Sequence, residues 1–108
     1  MPSTRHTISL EQAKRPFFVG VDVGGTNTKI GVVDDSGRTL AFASIPTEEE
    51  RGVEDAVARF ADTVRLLLDQ TEVAEEDVAA VGLGTPGSMD ITAGLILEPP
   101  NMPHWRDF

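Results

Sequence analysis

The chain has 108 residues, of which 40% are hydrophobic and 25% charged, a balance that is typical of a soluble globular protein of one compact domain. Its 18 acidic residues against 9 basic ones give a net charge of -9, which argues against a surface for nucleic acid or anionic membrane, because both need clustered Lys and Arg. The absence of cysteine excludes disulfides and thiolate metal sites. No apolar run approaches the roughly 20 residues that span a bilayer.

The first residues of the chain, 1–15, are polar and lack the apolar stretch of a secretory signal. They predict a flexible N-terminal tail. Without a targeting signal, the expected location is the cytoplasm. The ordered domain is predicted over 16–108.

Strands and turns alternate after the tail. Phe17–Val23 is rich in β-branched and aromatic residues and predicts a buried strand. Thr28–Val33 and Arg38–Ile45 predict two more strands, and the turn residues Asp34–Gly37 between them favour a hairpin. These segments together predict a three-stranded antiparallel meander.

A helix is predicted next. Thr47 and Glu50 match a capping box, and a second start lies nearer Gly52, so the helix begins at one of these places and ends near Gln70. Apolar residues share one stripe at helical spacing, which predicts a surface helix with one buried face. They are Val53, Val57, Phe60, Val64, Leu67 and Leu68.

A fourth strand is predicted over Val78–Leu83, after the crossover helix. The right-handed crossover rule places it parallel to the first strand. A short hairpin is predicted from Ser88–Thr92 and Leu95–Leu97, and the proline-rich end of the chain is expected to be extended. The predicted fold is α/β, with a mixed sheet whose loops gather at one end.

The strongest chemical signal lies between the first two predicted strands. Its residues are Asp22, Gly24, Gly25, Thr26, Asn27 and Lys29. The two glycines let the backbone turn tightly and approach a ligand without Cβ clashes. The N–H groups of Gly25, Thr26 and Asn27 are then available to phosphate oxygens. Asp22 is placed to hold Mg²⁺ through water, and Lys29 to neutralise phosphate charge.

Two other glycine-rich phosphate loops do not fit this segment. A Walker loop needs Gly-Lys-Ser/Thr entering a helix, and a Rossmann fingerprint also opens a helix, whereas a strand is predicted here. A glycine hairpin without a ligand is the remaining alternative, and it leaves the acid at the end of a buried strand unexplained.

Two further segments suggest a small hydroxylated ligand. The fourth strand runs into a rigid loop whose Thr85, Pro86 and Gly87 form a wall, and an ordinary strand-end turn is an equal alternative. Asn101 lies among prolines that pre-order the chain, so its amide is held as donor and acceptor for a sugar hydroxyl. Taken alone, an exposed proline-rich connection is the better interpretation of this second segment.

In combination these segments resemble the ROK family of sugar kinases. Gly20–Lys29 resembles its phosphate motif, and Gly82–Gly87 resembles its G-x-G-x-P-G loop. Gly94–Ile96 and Pro100–Trp105 resemble its G-x-I and P-N-x-P-x-W stretch. The first motif is shared with the wider actin-like and hexokinase-like ATPases, while the combination is specific to ROK. The resemblance covers Phe17–Phe108.

The resemblance implies an actin-like ATPase, ribonuclease-H-like domain, with ATP and Mg²⁺ as phosphoryl donor and a hexose, often glucose, as acceptor. The glycine-loop residues would serve the phosphates and the metal. Thr85, Pro86, Gly87 and Asn101 would line the sugar side. The family's catalytic base is an aspartate in an Asn-Asp pair beyond the stretch that this chain matches. The resemblance therefore implies a truncated gene or an isolated domain that is inactive alone, with no catalytic residue assigned.

Other functions remain as alternatives. A ROK transcriptional repressor carries a DNA-binding unit before the first motif, and the roughly 16 residues that precede it here are too few for a helix-turn-helix. A non-catalytic fragment that binds sugar or phosphate, or that pairs with a second copy through an uncovered sheet, stays open. So do the identity of the hexose and the choice between ATP and polyphosphate as donor.

Overall fold

The computed structural model describes residues 3–85, 89–90 and 95–96 of the chain. Its strands and helix are β1 (Ser3–His6), β2 (Phe17–Val23), β3 (Asn27–Val33), β4 (Thr39–Pro46), α1 (Val53–Thr71), β5 (Val78–Gly84), β6 (Met89–Asp90) and β7 (Leu95–Ile96). Short 3-10 turns lie at Leu10–Gln12, Glu49–Arg51 and Glu75–Asp77. Within this described part, no helix has the length and apolar character needed to cross a membrane.

The first five strands form one mixed sheet in the order β1-β4-β3-β2-β5. β2, β3 and β4 are the predicted antiparallel meander, and β5 lies parallel to β2 after the crossover through α1, as predicted. The turn between β3 and β4 uses Gly37 at a φ of 81°, a backbone conformation that glycine adopts without a Cβ penalty. β6 and β7 pair antiparallel, which is a shorter form of the predicted hairpin.

The core lies between α1 and one face of the sheet, because alternate residues of each strand point to that face. β2 shows the alternation directly, with Val19, Val21 and Val23 buried and Gly20 and Asp22 exposed. Helix α1 lies across β3 and β4, and it buries Phe60 and Leu67 among other residues. The opposite face of the sheet therefore carries the exposed residues of the same strands.

The observed start of α1 decides between the two helix starts that the sequence allowed. The helix begins at Val53 with Gly52 as its N-cap residue, so the later start is correct and the capping box at Thr47 and Glu50 is wrong. The physical reason is that the Thr47 side chain is fully buried and makes its hydrogen bonds toward the loop after β2.

The predicted apolar stripe of α1 is confirmed at Phe60, Leu67 and Leu68. Val57 differs, because its side chain is 55% exposed. It borders a groove of about 530 Å³ between α1 and β5, which is also lined by the exposed Val81 and Leu83. Because α1 lies over β3 and β4, it leaves β5 uncovered.

The N-terminal segment differs from the predicted flexible tail. β1 pairs antiparallel with β4, and Ser9 and Gln12 form a reciprocal capping box on the turn that follows. The buried carboxylate of Asp34 accepts a hydrogen bond from the Lys14 amide, and Arg38 donates to the Gln12 carbonyl. This polar segment is thus held at two places, because β1 pairs with the open edge of β4 and Asp34 accepts from the Lys14 amide.

Candidate functional site

The loop between β2 and β3, residues 24–26, is closed by three hydrogen bonds. The Gly24 N–H donates to the Asn27 carbonyl at 3.0 Å. The Gly24 carbonyl accepts from the Thr47 hydroxyl at 2.7 Å, and the Thr26 carbonyl accepts from the Thr47 N–H at 2.9 Å. The N–H groups of Gly25 and Thr26 have no hydrogen-bond partner within the described residues. The loop therefore presents two unused amide donors, as a cradle for an anion requires.

The two loop glycines differ in the space around them. A Cβ atom on Gly24 would lie 2.6 Å from the Asn27 carbonyl oxygen, so the tight turn itself requires glycine there. A Cβ atom on Gly25 would have no heavy atom of residues 3–85 within 4 Å. The first glycine serves the turn, and the second leaves the outer side of the loop open to close approach.

Asp22 and Lys29 lie next to this loop. They are directly opposite each other in the β2–β3 ladder, and both side chains are exposed on the sheet face opposite α1. Asp22 also pairs with Gly84 of β5. A Cβ atom added to Gly84 would lie 3.8 Å from the Oδ1 atom of Asp22. The carboxylate thus lies where the glycine loop meets the end of β5.

The donor set fits a magnesium ion that arrives with phosphates. Within residues 4–85 no cluster of three or more metal-binding side chains is found, so a cage built from protein alone is absent there. Mg²⁺ does not need one, because it keeps several waters and binds through one or two carboxylates together with phosphate oxygens. Asp22, exposed beside two unused amides, supplies such a carboxylate.

Three glycines make a floor beside Asp22 on the same face. Gly31 of β3, Gly20 of β2 and Gly82 of β5 are aligned across three neighbouring strands. They form a strip of bare backbone, bounded on the β4 side by Phe42, which pairs with Gly31. A cavity of about 510 Å³ extends over Gly20, Gly31 and Phe42 and reaches Asp22 and Lys29.

Thr85 directly follows β5, whose last residue, Gly84, pairs with Asp22. Its Oγ1 atom is buried and has no hydrogen-bond partner within the described residues. Buried hydroxyl groups in native proteins nearly always have a partner, so this hydroxyl requires one beyond the described residues, such as water or a ligand. Pro86, Gly87 and Asn101, the other residues predicted for the sugar side, lie outside the described residues.

Two residues that support the loop are not predicted from the sequence. The sequence pattern of Thr47 is that of a helix cap, and it indicates no role for Arg59. In the structure Arg59 donates to the carbonyls of Pro46 and Thr47, at 2.7 and 2.5 Å, while Thr47 holds the loop. The alternation along β3 could have indicated the role of Thr47. It puts the polar Thr28 on the buried face, and a buried hydroxyl requires a partner such as Thr47.

Comparison with known proteins identifies relatives for most of the chain. Residues 18–108 match the model of the ROK family. The glucokinase of Thermotoga maritima is 36% identical over 90 residues, which are 83% of this chain and 27% of that protein. The chain thus spans little more than a quarter of the length of the glucokinases from Thermotoga maritima and Halalkalibacterium halodurans, 27% and 28% respectively.

Solved structures give the same result. A ROK family glucokinase from Streptomyces griseus, in complex with glucose and AMPPNP, superposes with a TM-score of 0.60 at 32% identity, over 83% of this chain and 26% of that one. A ROK hexokinase from Thermus thermophilus superposes with a TM-score of 0.51 at 36% identity, over 85% of this chain and 28% of that one.

Proposed function

Because the chain belongs to the ROK family, we propose that it is the N-terminal, phosphate-binding part of an enzyme that transfers a phosphoryl group from ATP to a hexose, with glucose as the preferred acceptor. The fold is that of the actin-like ATPases, as predicted, and its structural neighbours are ROK sugar kinases.

The observation that carries the proposal is the pair of unused amides, Gly25 and Thr26, beside the exposed carboxylate of Asp22. Phosphoryl transfer depends mainly on positioning and on stabilising charge that develops on phosphate oxygens. The amides bind phosphate oxygens, with the Asn27 side chain beside them, and Lys29 adds a positive charge. Asp22 would hold Mg²⁺, and that ion would supply further neutralisation of phosphate charge.

The acceptor side is proposed to involve Thr85, Pro86, Gly87 and Asn101. The buried hydroxyl of Thr85, which has no partner among the described residues, supports a polar ligand at the end of β5. Glucose is preferred because the relatives from Thermotoga maritima and Halalkalibacterium halodurans are glucokinases, and the glucokinase from Streptomyces griseus was solved with glucose. The AMPPNP in that structure, an ATP analogue, favours ATP over polyphosphate as donor.

We expect the isolated chain to bind phosphates without turnover. No residue in it is assigned as the base that accepts the proton of the attacking hydroxyl, and transfer requires that base in addition to the positioned phosphates.

An NMR titration of the chain with AMPPNP and Mg²⁺ tests the phosphate site. We expect the largest amide shifts at Gly25 and Thr26, and weaker binding in Asp22→Asn. Asp35→Asn, which removes an exposed acid in the β3–β4 turn, is the matched control and should bind as the unchanged chain does. Shifts spread evenly over the sheet, or an equal effect of both substitutions, would contradict the proposal.

A fluorescence titration with glucose tests the acceptor side. Trp105 is the single tryptophan of the chain and stands four positions from Asn101, so it reports on that segment. We expect a saturable change with glucose that Asn101→Ala weakens, and no saturable change with glycerol at the same concentration.

A further inference from the structure

Thr47, the residue directly after β4, is fully buried and contacts both ends of the glycine loop. Its hydroxyl lies 2.8 Å from the Thr28 hydroxyl and donates to the Gly24 carbonyl at 2.7 Å. Because a threonine hydroxyl has one proton and Thr47 gives it to Gly24, Thr28 must be the donor between the two threonines. The Thr47 N–H donates to the Thr26 carbonyl at 2.9 Å.

These contacts fix the direction of two amide donors. A trans peptide unit is planar, so its C=O and the N–H of the next residue point in opposite directions. The one cis bond among the described residues lies elsewhere, before Pro16. Since Thr47 draws the carbonyls of Gly24 and Thr26 toward β4, the N–H groups of Gly25 and Asn27 point away from it.

Arg59 of α1 in turn fixes Thr47. Its guanidinium donates to the Pro46 carbonyl at 2.7 Å and to the Thr47 carbonyl at 2.5 Å, and it pairs with Asp55 at 2.8 Å. The next residue, Glu48, is a non-glycine residue at a φ of 49°, a strained conformation that persists only where surrounding contacts determine it. Two arginines supply those contacts, Arg51 at 2.8 Å from the Glu48 carboxylate and Arg59 at 3.9 Å.

We propose that Thr47 and Arg59 are positioning residues that hold the glycine loop so that one of its two unused amides, that of Gly25, is directed away from β4 for phosphate. The inference rests on the proposed function of the loop. Neither residue touches phosphate; Thr47 acts through the peptide units on either side of Gly25 and Thr26, and Arg59 acts through Thr47.

The first test needs no ligand. Thr47→Val keeps the shape of the side chain and removes its hydroxyl. We expect the Gly24 amide to exchange with solvent about tenfold faster than in the unchanged chain, the scale of one lost hydrogen bond, with strand amides such as that of Val32 unaffected. Thr47→Ser restores the hydroxyl and should restore protection of the Gly24 amide.

Thr71→Val is the matched control. Thr71 is also a buried threonine, but its hydroxyl donates within α1, to the Leu67 carbonyl at 2.8 Å. Equal exchange at Gly24 in Thr71→Val and Thr47→Val would overturn the proposal, because general destabilisation would then explain both. Unchanged exchange at Gly24 in Thr47→Val would also overturn it.

If Thr47→Val does not fold, Arg59→Met takes its place. It removes the donors to the Pro46 and Thr47 carbonyls while keeping an apolar stem, at a side chain that is 23% exposed. We expect faster exchange confined to the loop. Loop exchange equal to that of the unchanged chain would overturn the proposal.

The second test measures affinity for tripolyphosphate with Mg²⁺. We expect about tenfold weaker binding in Thr47→Val and recovery in Thr47→Ser, which a purely structural role would not produce. Faster loop exchange with undiminished affinity would overturn the positioning role. Absence of binding by the unchanged chain would count against the proposed function, while the exchange measurements would still decide whether Thr47 fixes the loop.

Discussion

Gly24 and Gly25 are neighbours in the loop after β2, yet an added Cβ atom would meet different surroundings at each. At Gly24 it would press on the Asn27 carbonyl oxygen, which accepts the hydrogen bond that closes the turn. We expect Gly24→Ala to lower the free energy of unfolding by about 1–3 kcal/mol, as overpacking does. Gly25→Ala should change it by less than about 0.5 kcal/mol, because the space there is open. Urea denaturation of the two variants checks this, and equal losses would contradict it.

Asp34 has a buried carboxylate at the end of β3 and makes the stability of the chain depend on pH. Burial raises the pKa of Asp34. Hydrogen bonds from the Lys14 and Arg38 amides and from the Arg38 guanidinium lower it by more than burial raises it, so the net pKa lies below its ordinary value. A lowered pKa gives stability that is fully present above the ordinary carboxylate pKa of about 3.9 and is lost as the pH falls through the lowered value.

We therefore expect Asp34→Asn to reduce stability at pH 7 and to make stability less dependent on pH below about pH 4. Urea denaturation at several pH values measures both effects. Asp62→Asn, at an exposed carboxylate paired with Arg65 on α1, is the control and should change neither appreciably. A pH dependence that Asp34→Asn leaves intact would assign the acid sensitivity to another group.

Helix α1 holds the sheet through a few fully buried side chains. Leu67 is completely buried, whereas Val57 on the same helix is 55% exposed. Leu67→Ala should cost about 2–5 kcal/mol, because it leaves a cavity against β3 and β4. Val57→Ala should cost less than about 1 kcal/mol. The difference between their urea midpoints is the measurement, and similar losses would mean that α1 packs differently.

Most of the sheet was predictable because its signals are local. The meander follows from alternation and from turn residues such as Gly37, and the parallel β5 follows from the handedness of the crossover. The tight turn at Gly24 and Gly25 was predictable because two glycines between two strand-like segments indicate a sharp change of chain direction. The helix start was not, because Thr47 has a cap-like position in the sequence and forms its hydrogen bonds across the fold. The position of the segment after β1 likewise depends on a distant acceptor, Asp34, which binds the Lys14 amide and which local pattern does not reveal.

At the scale of the molecule, the described part of the chain has an uncharged strand at one edge. β5 contains no charged residue, and its Val81 and Leu83 are 61% and 57% exposed beside the groove against α1. Exposed, uncharged edge strands favour pairing with another chain. We expect the chain to self-associate in solution, and more strongly with added salt, which screens repulsion between molecules of net charge -9.

Sedimentation velocity tests this expectation. The double variant Val81→Lys, Leu83→Lys should sediment as a monomer, because charge on an edge strand prevents pairing. Lysine at the exposed positions Glu54 and Asp62 of α1 is the control, since it adds more positive charge without changing β5. A monomeric unchanged chain at high concentration would exclude association.

The glycine floor formed by Gly20, Gly31 and Gly82 has one more consequence. A methyl group at Gly20 or Gly82 would meet no atom of the described residues within 4 Å, so packing in that part of the chain gives no reason for glycine there. Glycine inside a strand lowers stability by about 0.5–1 kcal/mol relative to alanine. Alanine at either position should therefore raise the melting temperature of this polypeptide. The strip of glycines therefore lowers the stability of the chain, and a search for thermostable variants that scored melting temperature alone would replace them.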